Sequence, residues 1–229
     1  GNSSSVLYIE FEDDAEHFKA SLAELYATNV ALILENITKQ LEVERTQKEL
    51  LYMVGESIEA RSKETGAHVR RVALICELLS IKLNMPRSFI EAIRLAAPLH
   101  DLGKIAVPES ILHKPGELNE EEWVIMKSHA EEGGSLLAKS NSSISKLGSR
   151  LARYHHENWD GTGYPLGLKG EKIPIEARIM AIADVFDALG SKRCYKDVWD
   201  DDRIKAFLIE EKHKKFDANI VDTFMENFD

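Results

Sequence analysis

Residues 175–189 read IEARIMAIADVFDAL. Ile179, Ile182, Ala183 and Phe186 fall on one side of a helix when wound at 3.6 residues per turn. Asp184 interrupts that otherwise apolar face, and Asp187 follows one turn later. An unpartnered buried carboxylate is expensive, so Asp184 implies a partner brought from elsewhere in the fold.

Upstream of this helix the rhythm breaks. Residues 157–174 (ENWDGTGYPLGLKGEKIP) hold four glycines and two prolines, a composition that reads as a loop. An irregular stretch this long inside a compact domain is usually functional or disordered. Before it, Ile144 to His156 reads as a helix ending in the doublet His155-His156. Asn119 and Glu122 form a capping box for a helix carrying Trp123, Ile125, Met126 and His129, which the pair Gly133-Gly134 should loosen or break. Pro86 suits the first turn of a helix running to about Leu99, and His100-Asp101 follows it. His68 to Leu83 carries Val72, Ile75, Leu79 and Leu83 at helical spacing. Two further helices are expected over 201–212 and 218–228. No alternating pattern of useful length follows residue 12, so the main domain reads as all-α.

The first 50 residues differ. Val6 to Phe11 (VLYIEF) is strand-like but alone, and a lone strand is not stable. From about Glu16 to Leu51 the pattern is helical. Ala23, Ala27, Val30, Leu34, Ile37 and Leu41 make a seam that fades into Glu44 and Lys48. That seam fits either an amphipathic helix lying on its own domain or a connector helix pairing with a second chain. The expected organisation is a strand fragment and connector helix over 1–50, the tail of a regulatory domain, followed by a main domain over 51–229.

Composition narrows the function classes. The chain has 229 residues, with 29 Lys and Arg against 39 Asp and Glu, a net charge of −10. That balance argues against binding polymeric nucleic acid, which needs a basic stripe. It leaves room for a small phosphate ligand, because a metal site reverses the local field. Two cysteines, Cys76 and Cys194, build no disulfide scaffold, so a reduced, cytoplasmic protein is the default. No apolar stretch approaches the roughly 18 residues of a membrane span.

Eight histidines occur, and their company matters more than their number. His100-Asp101 and His155-His156 both sit at helix ends, His129 lies on a helix, and Asp184 sits on an apolar face. Neutral imidazole and carboxylate are natural ligands for divalent iron, manganese or zinc. No cysteine joins them, which argues against a Cys-rich structural zinc site. The combination points to a buried site with several metals.

HDLGK at 100–104, HHENWDGTGYP at 155–165 and IADVFDAL at 182–189, with VPESIL at 107–112, KPGELNEEEW at 114–123 and IMKSHAEEG at 125–133, resemble the HD-GYP family of cyclic-dinucleotide phosphodiesterases. The likeness runs from about Leu51 to Phe228. It implies an HD-type helical bundle with a Gly-rich GYP loop, preceded here by the long connector helix. Carried over by position, the metal ligands are His68, His100, Asp101, His129, His155, His156 and Asp184, with Asp101 bridging metals. Glu64 lies one turn before His68, on the same helix face. It resembles the extra ligand of a trinuclear subgroup, so three divalent ions are expected rather than two. Iron or manganese come first, with zinc, nickel or magnesium as alternatives. Two such ions about 3.5–4 Å apart would activate a bridging hydroxide. Lys104 resembles the family lysine that contacts the scissile phosphate and stabilises developing charge. Tyr164, Arg193 and Lys196 match substrate-contacting positions. Asp187 is grouped with them in a supporting role, holding nearby Lys or Arg groups or orienting ligands.

The chain departs from the family pattern at Ser62-Lys63-Glu64-Thr65, at Cys194 where proline is usual, and at Ala218 after Asp217. The implied reaction is hydrolysis of cyclic di-GMP to linear pGpG, and onward to GMP if the site is trinuclear. Alternatives are a phosphodiesterase for 3′,3′-cyclic GMP-AMP, a catalytically silent cyclic-dinucleotide receptor, and a general HD-superfamily nucleotide phosphohydrolase. The implied setting is bacterial signalling, with an upstream sensor or receiver domain and homodimerisation through the N-terminal helix.

Overall fold

The computed structural model describes residues 20–62, 66–191 and 198–228. The strand-like run Val6–Phe11, Glu64, Arg193, Cys194 and Lys196 lie outside the described residues. The chain divides into two units, Gly1–Glu49 and Leu50–Asp229. In the first, the described residues are helical throughout.

Helix α1 spans Ala20–Arg61, ten residues further than the periodicity predicts. Its last turns differ in character from its first. Tyr52, Ile58 and Glu59 are buried, whereas Leu34 and Leu41 are 47% and 60% exposed. The extension is therefore made by tertiary burial rather than by the fading seam. Helices α2 (Gly66–Lys82), α3 (Arg87–Ala96), α4 (Glu109–Leu112), α5 (Glu120–Leu137), α6 (Ser143–Tyr154), α7 (Ile175–Gly190), α8 (Asp201–Glu210) and α9 (Ala218–Met225) follow. Short 3₁₀ turns at Ala97–Leu99, Leu102–Ala106 and Gly170–Lys172 join some of them. Among the described residues no strand forms, and the architecture is the expected all-α bundle.

The core gathers around α2 and α7. Val69, Val72, Cys76 and Leu79 of α2 meet Ile179, Met180 and Ile182 of α7, with Ile93, Leu151, Leu208 and Ile220 closing the sides. Full burial of each large aliphatic side chain contributes about 1.5–3 kcal/mol, so this face of α7 anchors the site residues on its flank.

Two local expectations change. Pro86 caps α3 from outside it, and the helix gives way after Ala96 to the tighter turn Ala97–Leu99. The Gly133-Gly134 pair does not break α5, which runs through to Leu137. A Cβ on Gly133 would stand 3.0 Å from the Gly103 nitrogen, and one on Gly134 would stand 2.8 Å from Arg153 Cβ. The glycines are there for close approach, while the capping box on Asn119 and Glu122 forms as expected, with 2.8 Å bonds in both directions.

Candidate metal centre

Five segments converge at one end of the core. His68 enters from the first turn of α2, and His100 and Asp101 from the link between two 3₁₀ turns. His129 comes from α5 and His155-His156 from the end of α6. Asp184 projects from α7. Asp101 is the shared neighbour. Its Oδ1 lies 3.3 Å from His129 Nε2 and 3.8 Å from His155 Nε2; its Oδ2 lies 3.2 Å from His100 Nε2 and 2.6 Å from Lys104 Nζ. His68 Nε2 lies 3.5 Å from Asp184 Oδ1.

The other ring nitrogens are tied behind. Nδ1 donates to the Ala97 carbonyl from His100 (3.0 Å), to Met126 from His129 (2.6 Å) and to Ala152 from His155 (2.8 Å). His68 Nδ1 donates to Asp187 Oδ2 at 2.7 Å. Such partners keep a proton on Nδ1 and aim Nε2 inward, as in metal-ligating histidines. Arg71 in turn holds Asp187, donating to both of its carboxylate oxygens.

A buried polar atom without a partner is costly and rare. Here His100 Nε2, His129 Nε2, His155 Nε2, Asp101 Oδ1 and both Glu59 carboxylate oxygens are buried with no hydrogen-bond partner. So many orphans in one pocket fit bound cations. Two groups have ligand atoms within 4.8 Å of one another: Asp101, His129, His155 and His156; and Glu59, His68 and His100. The donor set is oxygen and imidazole nitrogen without thiolate, suited to divalent first-row metals.

Backbone proximity makes this convergence. A Cβ on Gly103 would stand 1.8 Å from the His129 carbonyl oxygen, so the turn carrying Asp101 lies directly on the α5 backbone. The loop after His156 is held by distant groups. The Glu157 carboxylate accepts from Leu166 N and Leu168 N, each at 2.8 Å. Trp159 N donates to Lys215 O and Asp160 N to Lys214 O. Gly161, Gly167 and Gly170 have positive φ, while Gly163 is needed because a Cβ there would lie 2.2 Å from Asn158 N. The Tyr164–Pro165 peptide is cis. Tyr164 stacks on His156 with 4.7 Å between ring centroids. Beside them opens a groove of about 660 Å³ lined by Trp123, Val124, Lys127, His156, Thr162 and Tyr164, among others.

The charges are unequal. Burial lowers His100, but the contact and charge of Asp101, together with the charges of Asp184 and Glu59, outweigh it and raise its pKa to about 9. Burial dominates His155 and lowers it to about 4. It also drives His156 well below the imidazole range, reinforced by His155. Asp101 is buried, which alone would raise it, yet Lys104 and His100 hold it well below the carboxylate range. Burial, with Asp101 nearby, lifts Glu59 to about 7.

A family model described as HD domain matches residues 52–220. The chain belongs to the HD domain family. Its GYP loop and histidine doublet place it in the HD-GYP branch. It is 47% identical over 225 residues to a 3′3′-cGAMP-specific phosphodiesterase 2 of Vibrio cholerae, covering 98% of this chain and 43% of the relative. It is 43% identical over 197 residues to the cyclic di-GMP phosphodiesterase response regulator RpfG of Xanthomonas campestris, covering 85% of this chain and 52% of the relative. This HD-GYP chain therefore spans about half the length of these relatives. Among solved structures, the cyclic GMP-AMP phosphodiesterase V-cGAP3 of V. cholerae matches with a TM-score of 0.63 at 16% identity, covering 79% of this chain and 48% of that one. Bd1817, described as an HDG"Y"P protein of Bdellovibrio bacteriovorus, matches at 0.54 and 19%, covering 70% and 51%. These two likenesses speak to the fold.

The HD-GYP residues singled out from the sequence thus separate. His68, His100, Asp101, His129, His155, His156, Asp184 and Lys104 are brought together. Tyr164 borders the same end, on the groove. Asp187 sits behind His68 and is also paired with Arg71, contacts that correspond to both of its expected roles. Glu64, Arg193 and Lys196 fall outside the described residues. Glu59, Arg71 and Glu157 were missed. Glu59 lies beyond the expected end of α1, and only an acidic residue among inward-facing Tyr52 and Ile58 could have marked it.

Proposed function

We propose that residues 51–229 form a metal-dependent phosphodiesterase domain that hydrolyses a cyclic dinucleotide. The observation that carries this reading is the set of buried, unpartnered imidazole and carboxylate atoms around Asp101, set beside an aromatic groove. His68, His100, Asp101, His129, His155, His156 and Asp184 would hold two or three divalent ions, iron or manganese foremost. Bound there, such ions supply Lewis-acid polarisation of the phosphate and a water nucleophile of lowered pKa.

The protein's own groups do the rest. The backbone carbonyls behind His100, His129 and His155, and Asp187 behind His68, keep each Nε2 aimed inward. Lys104 offers an ammonium to the charge that develops on the phosphate and a proton to the departing ribose oxygen. Tyr164, with Lys127 Nζ 5.4 Å from its ring centroid, and Trp123 offer planar and cationic surface for a base and the second phosphate. Arg193 and Lys196 are assigned to the second half of the dinucleotide. Glu64 is assigned as the extra ligand of a trinuclear site.

Both cyclic di-GMP and 3′,3′-cyclic GMP-AMP fit this chemistry. Likeness along almost the whole chain to a 3′3′-cGAMP-specific relative favours the second, and the RpfG likeness the first. The test is parallel incubation of the iron- or manganese-loaded protein with each, under anaerobic conditions, with products separated by chromatography. Linear dinucleotide from one substrate only would choose it, and GMP would mark a second cleavage. Intact substrate with metal bound would overturn the enzyme reading in favour of a receptor. Exposed Leu34, Ile37 and Leu41 support pairing of the N-terminal helix with a second copy, in a signalling protein carrying a further sensor or receiver domain.

A further inference from the structure

Glu59 is 1% exposed, and neither of its carboxylate oxygens has a hydrogen-bond partner. A carboxylate in that position needs a cation. The ammonium within reach is Lys104 Nζ, 3.7 Å from Glu59 Oε1. Two residues further along the same helix, Arg61 donates to the Lys104 carbonyl at 2.5 Å and to the Val107 carbonyl at 2.8 Å. The last turn of α1 therefore reaches both ends of Lys104: its backbone through Arg61, its side chain through Glu59.

Lys104 Nζ also lies 2.6 Å from Asp101 Oδ2. Asp101 is the carboxylate on which the Nε2 atoms of His100, His129 and His155 converge. Cations held there draw on the Asp101 charge and repel a neighbouring ammonium. Glu59 Oε1, 3.7 Å away, is then a second carboxylate placed to hold it.

We propose that Glu59 is a positioning residue for the reaction: it anchors the Lys104 ammonium beside the metal centre while Asp101 serves the cations. The alternative use of the same carboxylate is as a metal ligand with His68 and His100, whose ligand atoms lie within 4.8 Å of it. The two uses differ in what they predict. The catalytic consequence rests on the phosphodiesterase reading above; the pairing of Glu59 with Lys104 does not.

The test is a double-mutant cycle on the metal-loaded chain: wild type, Glu59→Gln, Lys104→Met and the double variant. Metal per chain should be unchanged in Glu59→Gln, and KM should stay within about twofold. Its kcat should fall by about 10- to 100-fold, as expected when a reacting group is misplaced. In the Lys104→Met background the same substitution should cost less than about twofold, because its target is gone. Urea-unfolding midpoints of the four proteins give a readout that needs no turnover, and they too should be non-additive. Loss of one ion per chain in Glu59→Gln would overturn the proposal in favour of direct ligation. Additive midpoints, or full multiplicative losses in kcat, would overturn it in favour of independent roles. Should wild type cleave neither dinucleotide, the phosphodiesterase reading fails, while the unfolding cycle still decides whether Glu59 and Lys104 are coupled.

Discussion

Helix α1 up to residue 49 and the loop 157–174 are opposites. The helix is regular and its apolar positions are exposed; Leu34, Ile37 and Leu41 face solvent. The loop is irregular, yet Glu157 beneath it is buried and its backbone is tied to groups far along the chain. Its amides donate to Lys214 and Lys215 carbonyls and to the Glu157 carboxylate. A helix satisfies its backbone locally, so it forms without a tertiary partner for its surface. A loop satisfies its backbone only where the fold supplies partners. Regularity and anchoring are therefore separate properties, and it is the anchored, irregular part that borders the groove, with Tyr164 stacked on His156.

This contrast should appear as a gradient of sensitivity. The steepest effect is expected at the turn on α5: Gly103→Ala puts a methyl 1.8 Å from the His129 carbonyl oxygen. It should cost about 3 kcal/mol or more in urea unfolding, with metal content falling alongside. A near-silent Gly103→Ala would refute the close-approach account. Next, Asp187→Asn removes the carboxylate behind His68. Metal affinity should weaken by about 10- to 100-fold, read by competition with a chelator, with little change in helical circular dichroism.

Within the loop, Glu157→Gln leaves one good acceptor for two amides. Stability should drop by about 1–3 kcal/mol and KM should rise, with metal content unchanged. A smaller signal comes from protonation. His100 is held protonated up to about pH 9, whereas metal needs neutral imidazole. Metal uptake near neutrality should release about one proton per chain, and affinity should climb as pH approaches 9. His155 and His156, pushed down, should add nothing to that count. Weakly buffered metal titrations measure it. The smallest effect on the fold is expected in α1. Leu34→Asp with Ile37→Asp should leave the unfolding midpoint of the main unit unchanged, while sedimentation should show any dimer dissociate. A large midpoint shift would show that the helix surface is load-sharing after all.

Much of the site could be read from residue order. His100-Asp101, His155-His156 and Asp184 announce themselves because histidine doublets at helix ends and a carboxylate on an apolar face break local expectations. Glu157 gave no such sign, since it resembles any polar residue opening a loop. Gly133-Gly134 misled, because a glycine pair in a helix reads as weakness when its neighbour is unknown. Asp187 was legible as a helper, but its object was not. Its bond to His68 spans 119 residues of sequence.

By itself the sequence determined the helical periods, the capping box on Asn119, the break at 157–174 and the inventory of imidazoles and carboxylates. These depend on residues within a few turns of one another, where spacing and side-chain type carry the physics. Only the tertiary structure decided which Nε2 atoms face one point, that the glycines serve backbone contact, and that the end of α1 delivers Glu59 to Lys104. Those outcomes depend on the packing of segments distant in sequence, where the energy lies in mutual burial and in partners that no local pattern names.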